Sequence, residues 1–356
     1  MTEPATATTT APAATPSAGP TPAAGRPLRL GTRRSALATS QSGWVAERLR
    51  GAGMEVELVL VTTEGDTSRR SLAEIGGTGV FASALRDALL DGRIDLAVHS
   101  LKDLPTAPAD GLVVAAVPER EDPRDVLVAR DDLTLADLPA GAVVGTGSPR
   151  RAAQLRLLRP DLEIRDIRGN VDSRIRMVHD QVLDAVVLAR AGLARLDRLA
   201  EATEVLDLDT MLPAAGQGAL AVECRADAPD LAARLAEALE HPATRTAVDA
   251  ERAALAALEA GCTAPVGALA ELSGADERRS GDGIPDPGAA HPGGRAPATL
   301  TLHAFAALDT GAQRRVATGA SDAPEELGRA MAELLLNRPD PTGLVAAGSH
   351  TPESDL

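Results

Sequence analysis

The chain has 356 residues and carries 36 lysines and arginines against 51 aspartates and glutamates, a formal net charge of -15. That length suggests two or three domains, and that charge argues against DNA or anionic membranes as main partners. With one tryptophan, two phenylalanines, no tyrosine and two cysteines, the cores must be built from aliphatic residues, a base-stacking platform is excluded, and a disulfide framework is not available.

Residues 1–26 are almost entirely Ala, Thr, Pro, Ser and Gly. Such a composition buries too little apolar surface to offset chain entropy, so a disordered tail is expected. A transit peptide is the competing reading, but the first arginine is Arg26, and transit peptides are Arg-rich. The chain has neither an eighteen-residue apolar run nor a charged n-region before an apolar core, so a cytoplasmic location is expected.

From Leu28 onward short apolar runs alternate with helical patterns: strand 28–31, helix 36–49, strand 55–61, helix 81–90 and strand 95–99. The alternation recurs after Pro118, with strands at 126–129, 143–145, 163–167 and 185–189 and helices at 151–158 and 171–179. This is the pattern of two α/β units, each a parallel or mixed sheet covered by helices. The first unit is placed at 27–118 with 217–238 and the second at 119–216. A further strand is expected in 212–224, and the crossings 119–124 and 212–224 then make a two-stranded hinge. Residues 239–345 read as a small α+β domain: two helices divided near His241-Pro242, strands at 264–271 and 298–307, and a helix at 323–337. The Gly-, Pro-, Asp- and Arg-rich stretch 273–297 reads as a disordered insertion, and 346–356 as a second tail.

Polar residues gather where strands end. The first strand runs into Thr32-Arg33-Arg34-Ser35. Asp95-Leu96-Ala97-Val98 runs into His99-Ser100-Leu101-Lys102-Asp103-Leu104-Pro105. On spacing alone Asp103 is either a site acid or a turn cap, and His99 reads as a packed, hydrogen-bonded histidine. In Gly145-Thr146-Gly147-Ser148-Pro149-Arg150-Arg151, Ser148 suits an N-cap and Pro149 the first helical position. The free N–H groups there, with two arginines, build an anion site. Between residues 148 and 176 eight arginines stand against four acidic residues, a local excess of +4 in an acidic chain. Arg156, Arg159, Arg165 and Arg176 read as solvated helix faces. Arg150, Arg151, Arg168 and Arg174 sit at strand ends or helix starts, where open α/β sheets bind ligands. The arginine fork favours carboxylates, so a ligand with several carboxylates or phosphates is expected. Gly76-Gly77-Thr78-Gly79 lacks the Gly-Lys-Ser/Thr of a Walker loop and reads, with residues 62–71, as a polar lid before Phe81.

Cys224 lies in an alternating apolar run and reads as inert core. Cys262 follows a helix-like stretch in Gly261-Cys262-Thr263-Ala264-Pro265-Val266-Gly267, and a loop thiol in that setting is free to react.

Taken together, residues 97–105, Glu121-Asp122-Pro123-Arg124-Asp125, Gly145 to Arg151, Arg168-Gly169-Asn170-Val171, Gly216-Gln217-Gly218-Ala219 and Gly261 to Gly267 resemble the porphobilinogen deaminase (hydroxymethylbilane synthase) family over roughly residues 27–340. The fold class expected is α/β: two hinged, doubly wound domains like those of periplasmic binding proteins, plus a small α+β C-terminal domain. The resemblance implies a transferase that condenses four porphobilinogens head to tail, with loss of ammonia, on a dipyrromethane cofactor, and releases hydroxymethylbilane for heme and porphyrin biosynthesis. It implies that the cofactor is joined to Cys262 by a thioether. Asp103 is then the catalytic carboxylate, holding pyrrole N–H groups and stabilising the cationic azafulvene. Cofactor binding falls to Ser100, Lys102, Thr146, Ser148, Arg150, Arg151, Arg174 and Gln217, and substrate binding to Arg33, Ser35, Phe81 and Arg168. No metal, nucleic acid or membrane partner is implied, and a monomer is expected. Thr78 stands where many relatives have a lysine, so any lid contact by that lysine is lost or moved, with Arg69 or Arg70 as replacements. Two other readings stay open: a two-domain carboxylate-binding module of periplasmic-receptor type, which leaves Asp103 and Cys262 idle, and a cysteine hydrolase pairing Cys262 with His99. Nothing in the sequence depresses the Cys262 thiol pKa, which weakens the second.

Overall fold

The computed structural model describes residues 26–62, 80–259, 264–273, 298–308 and 311–337. The tails, the 62–79 lid segment after Thr62, the insertion from residue 274, Cys262 and the side chain of Phe81 lie outside the described residues.

The first lobe opens with β1 (Leu28–Thr32), α1 (Ala36–Gly51), β2 (Val56–Leu60), α2 (Val80–Leu90), β3 (Leu96–Ser100) and β4 (Leu112–Ala116). β1 is buried along its length except at Arg29, and β3 is buried up to Ser100. That is the continuous apolar pattern of a parallel strand covered on both faces. One face packs Leu28, Leu30, Leu96 and Val98 against Val45 and Leu49 of α1; the other packs Ala97 and Ile94 against Leu85 and Leu89 of α2. α1 begins where Ser35 accepts a bond from Ala38 N at 3.3 Å. Arg48 and Arg50 occupy its last turn, where they complement the helix dipole.

The second lobe holds β5 (Asp125–Ala129), β6 (Val143–Gly145), α3 (Pro149–Leu158), β7 (Glu163–Arg165), α4 (Val171–His179), β8 (Ala185–Ala189), α5 (Arg190–Arg195) and β9 (Glu204–Val205). The chain then returns to the first lobe as β10 (Leu220–Arg225) and α6 (Pro229–Leu239). The two sheets have matching orders, β2-β1-β3-β10-β4 and β7-β6-β8-β5-β9. In each, one strand runs antiparallel to both neighbours, β10 in the first and β5 in the second. Each is the strand that the chain enters by crossing from the other lobe. The expected pair of hinged, doubly wound domains is therefore present, and the hinge is the pair of segments leading into β5 and β10.

The crossings are bonded to each other. Glu121 N donates to Gly218 O at 3.3 Å, Arg120 Nε to Gln217 O at 2.7 Å, and Gln217 Nε2 to Pro123 O at 2.6 Å. Gly218 has φ +88°, and a Cβ there would lie 2.2 Å from Glu121 O, so only glycine lets the crossings touch.

The C-terminal part is α7 (Pro242–Ala257), an antiparallel sheet of β11 (Val266–Ser273), β12 (Thr299–Leu308) and β13 (Gly311–Ala320), and α8 (Pro324–Leu336). Ala250, Ala254, Leu300, Leu302, Met331 and Leu335 form the core between sheet and helices, which is the expected α+β layer. Three details depart from the sequence reading. The strand expected over 212–224 begins only at Leu220, because Pro213 and the positive-φ residues Gly216 and Gly218 hold the preceding stretch in turns. β13 escaped notice because its sequence, GAQRRVATGA, carries charge and buries none of its residues fully. β4, with only Ala116 fully buried, escaped for a similar reason.

Among the described residues no helix is long and apolar enough to cross a membrane, and no cluster of His, Cys, Asp and Glu is arranged to hold a metal ion.

Candidate active site

The sequence-predicted residues stand at the carboxyl ends of the parallel strands, where β1 leads to Arg33 and Ser35, β3 to Ser100, Lys102 and Asp103, and β6 to Thr146, Ser148, Arg150 and Arg151. β7 leads to Arg168 and Arg174. Gln217 lies in the second crossing. In a two-lobed α/β protein these ends meet at the interlobe cleft.

On the first lobe, β3 passes into a 3-10 turn, Leu101–Asp103. Ser100 Oγ accepts from Gln41 Nε2 of α1 at 2.9 Å. Lys102 is half-buried and donates to Gln217 Oε1 at 3.3 Å. The next residue, Asp103, is exposed. Burial pushes the Lys102 ammonium down to about 8; Arg151 and Arg150 push the same way, while Asp103 and Asp125 oppose them.

On the second lobe the local prediction holds in detail. Ser148 is the N-cap of α3, its hydroxyl lies 3.5 Å from Arg151 N, and Pro149 takes the first turn. Thr146 Oγ1 accepts from Ser148 N at 3.2 Å. Gly147 permits the loop to run against the β7–α4 connection, since a Cβ would fall 2.5 Å from Ile167 O.

The arginines that follow are drawn into the interior of the second lobe. Both are almost fully buried, and both bind one carboxylate. Arg150 Nη1 donates to Asp125 Oδ2 at 2.8 Å and to Leu212 O at 2.5 Å. Arg151 donates to Asp125 Oδ1 from Nε at 3.1 Å and Nη2 at 2.7 Å, and to Val187 O at 2.9 Å. Gln217 Nε2 completes the shell of Asp125 at 2.8 Å. Burial would raise the Asp125 carboxyl, but Arg150 and Arg151 outweigh it and hold it well below the usual range. The first turn of α3 thus faces the sheet, and its arginines lie beneath the cleft. Asp125 closes the motif Glu121-Asp122-Pro123-Arg124-Asp125 and has no role assigned from the sequence, although an aspartate opening the apolar strand Asp125-Val126-Leu127-Val128 signals that something must neutralise it.

The cluster is left electropositive. Arg150 and Arg151 share one fully buried carboxylate, Asp125, Lys102 lies close enough to feel both arginines as well as Asp103 and Asp125, and Arg150 Nε is buried without a hydrogen-bond partner. Arg174 extends the cluster. Its Nε donates to Gly169 O at 2.8 Å, and burial, with Arg151 and Arg168 adding to it, lowers its guanidinium to about 10, against the pull of Asp103 and Asp166. Asp103 of one lobe therefore lies within electrostatic range of Arg174 of the other. Arg168 is exposed, 3.9 Å from Asp166, and Arg33 is half-buried at the start of α1.

The histidine and the second cysteine are not part of this site. His99 is buried in β3, its Nε2 3.2 Å from Glu223 Oε2 of β10, so it is not available as a base for a thiol. Cys224 is fully buried, and desolvation pushes its thiol up to about 11.

A family model described as "Porphobilinogen deaminase, dipyromethane cofactor binding domain" matches residues 28–233, and one described as "Porphobilinogen deaminase, C-terminal domain" matches residues 245–337. Similar curated proteins include porphobilinogen deaminase 1 of Streptomyces coelicolor, 65% identical over 250 residues that cover 69% of this chain and 78% of the relative. The porphobilinogen deaminase of Mycobacteroides abscessus is 53% identical over 87% of this chain and 97% of its own length, and that of Nocardia farcinica is 54% identical over 88% and 87%. Among solved structures, a methionine binding protein overlaps 59% of this chain and 89% of its own at 14% identity and a TM-score of 0.38. That overlap carries no weight beside the strand order itself.

Proposed function

Since this chain belongs to the porphobilinogen deaminase family, we propose that Asp103 is its catalytic carboxylate and that the cations around it form the seat of its cofactor and growing product. The enzyme is a hydroxymethylbilane synthase of porphyrin and heme biosynthesis. It condenses four porphobilinogens head to tail, with loss of ammonia, and carries a dipyrromethane cofactor. The carboxylate-binding module is thereby set aside, and so is the cysteine hydrolase, whose histidine is buried against Glu223.

The residues present fit a polycarboxylate group. Two buried arginines on one buried carboxylate, a buried Arg150 Nε without a hydrogen-bond partner, and a Lys102 that burial pushes down to about 8 describe a site that added carboxylates would suit. When bound, the cofactor supplies the pyrrole terminus to which the first substrate is joined. Lys102, Arg174, Arg33 and Arg168, with the hydroxyls of Ser35, Ser100, Thr146 and Ser148, are the groups that bind its carboxylates and those of substrate. Gln217 holds Lys102 and Asp125 in place. Arg150 and Arg151 act from below as fixed positive potential. Phe81 packs against a pyrrole, and Cys262 holds the cofactor by a thioether.

Asp103 faces the reacting centre as an exposed carboxylate at the end of a rigid strand. Departure of ammonia leaves positive charge on the substrate methylene and ring. An aspartate beside that charge lowers the barrier most when the closed cleft excludes water. The observation that carries this reading is an exposed carboxylate in the short turn that closes the buried strand β3, next to Lys102, which is bonded to Gln217 of the second crossing. Asp103→Asn keeps the shape and loses the charge. It is expected to fold and load normally yet lose turnover by at least about 100-fold; near-normal turnover would remove Asp103 from the mechanism. The reading further takes the chain as a cytoplasmic monomer with no nucleic-acid or membrane partner. Its domains are taken as 27–118 with 217–238, 119–216 and 239–345.

A further inference from the structure

The turn that carries Asp103 presents a row of carbonyl groups to the C-terminal domain. Leu101 O receives Leu104 N at 3.1 Å, but Pro105 has no N–H to give. Three carbonyls of this turn converge on one side chain of the C-terminal domain. Arg252, half-buried on α7, donates Nη1 to Leu101 O at 3.4 Å and Leu104 O at 3.0 Å, and Nη2 to Pro105 O at 2.7 Å.

The adjacent residue, Glu251, anchors the same helix to the hinge. Its buried carboxylate accepts from Arg120 at 2.6 and 3.1 Å, from Gly216 N at 2.6 Å and from Ala270 N at 2.9 Å. One turn of α7 therefore grips both crossings through Glu251 and the Asp103 turn through Arg252. The guanidinium's planar, divergent donors suit three carbonyls spread along one edge of a turn; a lysine's compact ammonium does not.

We propose that Arg252 is a positioning residue for Asp103. By holding the carbonyl edge of residues 101–105 it fixes the direction in which the Asp103 carboxylate leaves the turn, and it ties that direction to the hinge through Glu251. This rests on the reading of Asp103 as the catalytic group. An error of about 1 Å in the placement of a reacting group costs about 100-fold in rate, so the effect falls on kcat and leaves substrate affinity nearly unchanged.

Arg252→Ala and Arg252→Lys are to be purified with cofactor loading checked by intact mass. Their kcat and KM for porphobilinogen are then measured with Asp103 intact and in an Asp103→Glu background. Arg252→Ala is expected to lower kcat about 10- to 100-fold with KM within about threefold, and Arg252→Lys to recover part of the loss. In the Asp103→Glu background, where the carboxylate is already displaced, the same change is expected to cost less than about threefold. A kcat within about twofold of wild type, or equal fold losses in both backgrounds, would overturn the proposal. If Arg252→Ala does not fold or load, Arg252→Lys, which keeps charge and stem, decides by the same two criteria. Failure of the premise registers separately, as near-normal turnover of Asp103→Asn with Arg252 untouched.

Discussion

At the scale of single residues, Asp125 and Lys102 set the electrostatics of the cleft. Asp125 holds two arginines and Gln217 in the fully buried floor; breaking such a buried pair typically costs about 3–5 kcal/mol because a charge is left uncompensated. Lys102 is desolvated beside that floor. Its folded value, about 8, lies below its ordinary 10.5, so an unfolded chain holds the proton more tightly over that interval. The contribution of Lys102 to stability is accordingly best above about 10.5 and is lost as pH falls to about 8. In a cofactor-free Cys262→Ser protein, Lys102→Met is therefore expected to raise the melting temperature near pH 7.5, with the gain shrinking toward pH 10. Melting curves across that range test it, and a gain independent of pH would mean that Lys102 is not desolvated as described. The sequence made Lys102 legible as a site residue from its place after β3. It did not reveal that Arg150 and Arg151 are buried, because that depends on Asp125, 25 residues before Arg150, reaching the same point from β5, two strands over from β6.

Among the elements, the hinge and α7 decide how the site is assembled. The β-α-β alternation of both lobes was plain in the sequence because each buried strand is an unbroken apolar run. The crossings were legible only as a pair of linkers, since their pairing rests on backbone bonds and on one glycine conformation. Gly218→Ala tests the contact. Alanine at φ +88° costs about 1–2 kcal/mol by itself, and a Cβ 2.2 Å from Glu121 O meets backbone that no side-chain rotation relieves. The expected result is a loss of at least about 2 kcal/mol by unfolding measurements, with lowered turnover in the folded fraction. Unchanged stability would show that the crossings are not in contact. The role of α7 was not legible. Glu251 and Arg252 read as ordinary polar positions on an Ala-rich helix, and only the fold brings the hinge and the Asp103 turn to them.

For the whole molecule, three sheets divide the work. Two present the candidate site residues at their strand ends, Asp103 after β3 and Arg174 after β7, and the third is locked to the hinge by Glu251. The motifs, six in register, identified the family before any coordinates did. What they left out was the support beneath the site: the role of Asp125, the residues Arg120 and Glu251, and the short edge strands, whose sequences lack periodic apolar faces. The dipyrromethane cofactor of this family is held on Cys262. Intact mass of the purified wild type and of Cys262→Ser tests it most directly. A covalent adduct of two pyrrole units on the wild type, absent from the folded Cys262→Ser protein, is the predicted result. A folded wild type at its unmodified mass, or an adduct that survives the substitution, would contradict it.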